Sequence, residues 1–151
     1  MDRTLSMAVK VSLDTGNMKL VEEIGMEYIM RLAAEPFEKL RNGTKKIELR
    51  LYDEKRKRLK IGDSIIFVNL KDSTDTLKTK ITDIYVFDSF EALYKALPLE
   101  DIGYSEDEIE QASPEDMTEF YAPEEQAEHG VIGIRIELLS QGKSNHDVHK
   151  I

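Results

Sequence analysis

Apolar residues recur along this chain with a period of two in some stretches and three to four in others, and the changes between them mark its elements. Met26, Tyr28, Met30 and Leu32 hold alternate positions, which predicts a strand. From Pro36 to Asn42 the period lengthens. Phe37 and Leu40 lie three apart, proline suits a first helical turn, and Gly43 suits the position just past a helix end, so a short helix is predicted. Alternation returns over Lys45 to Leu51: Ile47, Leu49 and Leu51 share one face, and Lys46, Glu48 and Arg50 share the other. Two further strands are predicted, Ser64 to Leu70 after the Gly62-Asp63 turn and Leu77 to Phe87, joined by the polar loop Lys71 to Asp75.

The stretch after Phe87 has a helical pattern. Asp88 precedes Phe90, Leu93, Tyr94 and Leu97, with Glu91 three residues after it, the spacing of a capping box. Ser105 with Glu108 repeats that spacing. Ser113-Pro114-Glu115-Asp116 adds proline at the first helical position, and Pro123 to Glu128, closed by Gly130, makes a fourth piece. The last element is a strand, Val131 to Leu138, with Ile132, Ile134, Ile136 and Leu138 on one face. The pattern is that of an α+β domain. Five to six mostly antiparallel strands close into a small barrel, with a helix after the first strand and a helical insertion before the last. The domain is expected over residues 25–139. Residues 1–24 are weakly patterned around a turn-like Asp14-Thr15-Gly16-Asn17 and are expected to be an N-terminal extension with an amphipathic turn. Residues 140–151 are polar and aperiodic and are expected to be a disordered C-terminal tail.

Composition narrows the class. The chain has 151 residues, of which 40% are apolar, enough for one domain with a real core. No apolar run approaches the length of a membrane span, and no secretory leader is evident. Cysteine is absent, which excludes disulfides, thiolate zinc sites and a cysteine nucleophile; a cytoplasmic location is expected. The net charge of −9 excludes a broadly basic nucleic-acid binder. The charge is segregated, however. Residues 41–60 carry nine basic and three acidic side chains, whereas Ala96 to Ile134 contain no lysine or arginine and twelve acidic residues. Many of those acids fall in first helical turns, where the helix dipole favours them. The basic run is either a solvated face or a surface that steers an anion.

The most informative stretch is Asn42 to Phe67. It has the form G-x-K-x-x-E-x-R-L, through Gly43, Lys45, Glu48, Arg50 and Leu51, then a basic turn, then G-D-x-I-x-F from Gly62 to Phe67. It resembles the ASCH family, a branch of the PUA-like β-barrels related to a domain of transcriptional coactivators. The resemblance covers about Met30 to Glu137 and includes Ser113 to Met117, Tyr121 and Gly130 to Ile134, which are similar to small bacterial members. It implies a cleft beside the first helix and the G-x-K-x-x-E-x-R segment that binds single-stranded RNA, a nucleotide or a nucleoside. Lys45, Glu48 and Arg50 match motif positions, and Asp53, Lys55 and Arg56 lie in the adjoining turn.

The residue types suit that reading. Lysine and arginine offer donors and charge to phosphate, arginine bidentately. Glu48 either accepts from a base or sugar hydroxyl or simply fixes Arg50, since an i, i+2 pair shares a strand face. Strict alternation sets Lys45 on the opposite face from Glu48 unless the Gly43-Thr44 turn redirects it. Bases stack on aromatic rings, and Tyr52 and Tyr121 are the better platforms; Tyr104 and Phe120 are further candidates, and Phe67 is a core residue. A subgroup of the family removes an acyl group from acetylated cytidine with a lysine and, three residues on, a threonine nucleophile. Here Glu48 stands at the threonine position, and a carboxylate does not replace a hydroxyl nucleophile in the same mechanism. A small hydrolase of another kind, acting on a modified nucleoside or RNA, remains an alternative, with Glu48 as general base and Lys45 stabilising an oxyanion. No carboxylate or histidine cluster marks a metal site, and nothing calls for a cofactor. A third reading is a protein-interaction domain whose acidic block, Glu100 to Glu128, meets a basic partner.

Overall fold

The computed structural model describes the backbone of residues 3–14 and 17–142 and the side chains of residues 25–142. Six strands form one sheet in the order β1-β2-β4-β5-β6-β3. These are β1 (Arg3–Asp14), β2 (Asn17–Leu32), β3 (Ile47–Leu51), β4 (Ser64–Asn69), β5 (Asp72–Phe87) and β6 (Val131–Gln141). The strands from β2 to β3 curl into a half-barrel, and β1 lies along its edge. All pairings are antiparallel except β2 with β4, which the chain reaches only after passing through α1 (Ala34–Arg41) and β3.

Sheet curvature leaves β2 and β3 unpaired with each other, and α1 closes the opening. Phe37 and Leu40 of α1 sink into the inner core beside Met30, Leu32, Ile65, Phe67, Leu77, Ile132 and Ile134. The outer face of β3 and β6 carries a second core, built from Ile47, Leu49, Leu51 and Val131 against α2 (Phe90–Ala96) and α3 (Leu99–Ile102). Gly133 makes that packing possible. A Cβ there would lie 3.1 Å from Leu97 Cδ1 and 3.3 Å from Ile47 Cγ2. α4 (Pro123–His129) leads into β6.

Several elements differ from the pattern in instructive ways. The described part of the segment before residue 25, expected as an extension, is strand: β1 pairs with β2 from Arg3↔Tyr28 to Asp14↔Asn17, and residues 15 and 16 of the expected turn lie outside the described residues. β6 runs on through Gln141, into the expected tail; residues 143–151 lie outside the described residues. The β4–β5 connection is tight rather than a five-residue loop. Asn69 pairs with Asp72, and residues 73–75 bulge before Val68 pairs with Thr76. Ser89, not Asp88, caps α2, because its extended backbone lets Oγ accept from Ala92 N–H at 3.1 Å. Pro36 stands in the third position of α1, where its missing N–H still leaves no intrahelical bond unmade. The Ser113–Asp116 capping box is present, on a 3₁₀ turn (Pro114–Glu119). Among the described residues no helix is long and apolar enough to cross a membrane.

Candidate functional site: a cleft with a buried Lys–Glu–Arg floor

A cavity of about 590 Å³ opens where β2 and β3 part. Its floor is made by strand parity. Glu48 pairs with Ile134 and Arg50 with Ile132, so both share the inner face of the sheet at its open edge. Lys45 breaks parity to join them. The chain becomes strand only at Ile47. Before it, Lys45 N–H donates to Lys39 O at 3.0 Å and Lys46 N–H to Asp101 O at 2.7 Å, which turns the Lys45 side chain inward. Gly103, with φ +122°, packs its bare Cα against that side chain; the nearest Lys45 carbons lie 3.5 Å from where a Cβ would stand.

Lys45 and Glu48 are buried, Arg50 is partly buried, and the three pair with one another through Glu48. Lys45, 8% exposed, donates to Ile47 O at 2.8 Å and Ile102 O at 3.0 Å, and its Nζ lies 3.4 Å from Glu48 Oε1. Glu48, 4% exposed, accepts from Arg50 Nε through Oε2 at 2.6 Å. Arg50 reaches across the opening to Arg31 O of β2 at 2.9 Å. Burial pushes the Glu48 carboxyl up, but the charges and hydrogen bonds of Arg50 and Lys45 outweigh it and hold it below its ordinary value. Burial draws the Lys45 ammonium below its ordinary value, with Glu48 opposing. Two cations to one carboxylate leave the floor net positive.

The walls are largely apolar and aromatic. Leu49, Met117, Phe120, Tyr94, Tyr104 and Tyr121 line the cavity. Tyr121 stacks on Phe90, with ring centroids 6.0 Å apart. Tyr104 donates to Asp116 Oδ2 at 2.7 Å, and since that carboxylate only accepts, Tyr94 donates in turn to Tyr104 at 2.8 Å. Burial pushes the phenols of Tyr94, Tyr104 and Tyr121 up, so all three are donors at neutral pH. At the mouth, Lys39 donates to Gly103 O at 2.8 Å and pairs with Glu108 at 3.5 Å. Phe120 and Leu70, 69% and 64% exposed, stand on the rim.

Lys45, Glu48, Arg50 and Tyr121, singled out in the sequence, thus meet in one cavity. Tyr52, Asp53, Lys55 and Arg56 do not line it. Tyr52 packs against the inner core beneath Lys57. Asp53 accepts from Arg56 N–H at 3.1 Å and pairs with its guanidinium at 3.3 Å, which builds the turn. Arg31, Lys39 and Leu70 are cavity residues that no motif marks, while Met117 lies in the Ser113–Met117 stretch of the resemblance. Among the described residues no three His, Asp or Glu side chains converge as metal ligands do. His129 Nε2 lies 3.5 Å from Glu128 Oε2.

The family model for the ASCH domain matches residues 30–140. The chain belongs to the ASCH domain family. It is similar to the hypothetical protein PH0355, known from a crystal structure, with 36% identity over 75% of this chain and 99% of that one, at a TM-score of 0.62. It is also similar to protein PF0455 from Pyrococcus furiosus, known from a solution NMR structure, with 35% identity over 76% of this chain and 98% of that one, at a TM-score of 0.56. No curated protein matches the chain. The span matched to the ASCH domain runs from β2 to the end of β6 and so includes the cavity floor and both walls, while β1 and the first part of β2 precede it.

Proposed function

We propose that the cleft binds a nucleoside or nucleotide unit of single-stranded RNA, with the base among the aromatic walls and the phosphate toward Arg31, Arg50 and the basic turn at 55–60. The ASCH family is thought to bind RNA. The observation that carries the reading for this chain is the net-positive floor of Lys45, Glu48 and Arg50 beneath an aromatic cavity large enough for a base and its sugar. Tyr121, backed by Phe90, offers a rigid stacking face. The Tyr121 phenol offers a donor to a ring acceptor, while those of Tyr94 and Tyr104 are spent on Tyr104 and Asp116.

The hydrolase reading has less support. A general base needs an available carboxylate lone pair and a value near neutrality. Glu48 instead sits below its ordinary value with both oxygens engaged. Lys45 spends its donors on two carbonyls and Glu48. Part of the acidic block is occupied at home: Glu108, Asp116 and Glu125 accept from the backbone N–H groups of Ser105, Ser113 and Ala122, which is capping rather than display for a basic partner. The test is an NMR titration with short single-stranded RNAs. Shifts are expected at Gly103, Arg50 and Tyr121, and a Tyr121→Ala variant should weaken binding by about tenfold to a hundredfold, the worth of one base stack of ~1–3 kcal/mol. Absence of shifts at those residues at millimolar ligand overturns the reading.

A further inference from the structure

Charge around the mouth of the cavity is one-sided. One wall comes from residues 104–121, which contribute Tyr104, Glu108, Met117, Phe120 and Tyr121. That wall lies within the span from Ala96 to Ile134 that holds twelve acidic residues and no lysine or arginine. Glu108 and Asp101 are neutralised from outside, by Lys39 at 3.5 Å and Arg135 at 3.0 Å. Glu106, Asp107 and Glu119 are exposed, flank the lining residues Glu108 and Phe120, and form no ion pair with another described residue. The opposite side carries Arg31, with Lys71 next to Leu70, while Lys39 spans the mouth between Glu35 at 3.9 Å and Glu108 at 3.5 Å and is matched by those carboxylates.

A nucleotide in the interior of a strand has phosphates leaving it in two directions. Seating its base in this cavity would carry one of those directions over the acidic wall, where like charges meet with few counter-charges. A free nucleotide, or the last nucleotide of a strand, has a phosphate chain on one side only and can leave over the basic side. Resting on the reading of the cleft as a nucleotide site, we infer that it takes a nucleotide presented singly, free or at a strand end, and rejects one in the middle of a continuing chain.

A circular RNA has no ends, which gives the test. Three probes are titrated into the labelled full chain: the four nucleoside 5′-monophosphates, a linear mixed-sequence RNA 12-mer, and the same 12-mer closed into a circle. The linear RNA, the monophosphates or both should shift Gly103, Arg50 and Tyr121. Monophosphates binding as well as the linear RNA assigns the site to free nucleotides, and linear RNA alone assigns it to strand ends. The circle should bind there at least tenfold more weakly. Replacing the acids beside the mouth, in an Asp107→Lys/Glu119→Lys variant, should recover at least tenfold of the affinity for the circle. Circular and linear RNA binding the cleft within twofold of each other overturns this inference and leaves the nucleotide site intact. No shift with any probe overturns both.

Discussion

Glu48 is the residue on which the floor depends. Its carboxylate pairs with Lys45 at 3.4 Å and with Arg50 at 2.6 Å, so its removal takes a counter-charge from both, and from the buried Lys45 above all. Removing one partner of a buried ion pair typically destabilises by about 3–5 kcal/mol. Glu48→Gln should therefore lower stability by that order in urea unfolding, far more than the same change at exposed Glu54; a loss under 1 kcal/mol would mean that water reaches the floor. The pH dependence has a definite sign. A carboxyl held below its ordinary value of 4.5 stabilises the folded state in full above that value and loses the contribution as pH falls through the folded value. The wild type should thus lose stability more steeply than Glu48→Gln below pH 4.5. Parallel curves would detach Glu48 from acid unfolding.

Among the elements, the helix–sheet contact at β6 makes the sharpest demand. Gly133 faces Leu97, Leu93 and Ile47, and a branched side chain there meets atoms already closer than van der Waals contact allows. Gly133→Val should cost about 1–3 kcal/mol through overpacking and lower the melting temperature, even though valine favours strands; an unchanged melting temperature would show that α2 can move away. Elements of this kind were the legible part of the sequence. Parity in β3, β4 and β6 needed only alternating residues, and the capping box at Ser113 needed only its spacing. The floor was half legible. Glu48 and Arg50 follow from parity, but Lys45 is placed by bonds to Ile102 and Asp101, more than fifty residues away, which no local pattern carries. The hairpin of β1 and β2 was missed because no compositional break separates it from an extension. Tyr52 and the Asp53–Arg56 turn were drawn into the candidate site by proximity in sequence, yet β3 ends at Leu51, and the chain then turns away.

At the scale of the molecule, the proposed RNA reading requires a protein of net charge −9 to gather a polyanion on a small part of its surface. The 3₁₀ turn at Arg56–Arg58 is the basic part of the surface: Lys55, Lys57, Arg58 and Lys60 are exposed, and Lys57 pairs weakly with Glu54 at 3.5 Å. The proposed reading then divides the labour: the cavity would hold one nucleotide and the turn would track the phosphates beyond it. Each phosphate of a single strand neutralised by a cation contributes a slope of about −0.7 to log K against log salt. Arg58→Ala/Lys60→Ala should therefore flatten the slope for a linear RNA by about 1.4 while leaving the affinity for a mononucleotide unchanged, because Arg58 and Lys60 do not line the cavity. Isothermal titration at several salt concentrations reads both quantities. An unchanged slope would take the turn out of RNA binding. An equal loss for the mononucleotide would instead bring the turn into the cavity's own contacts, against the geometry of a floor built from Lys45, Glu48 and Arg50.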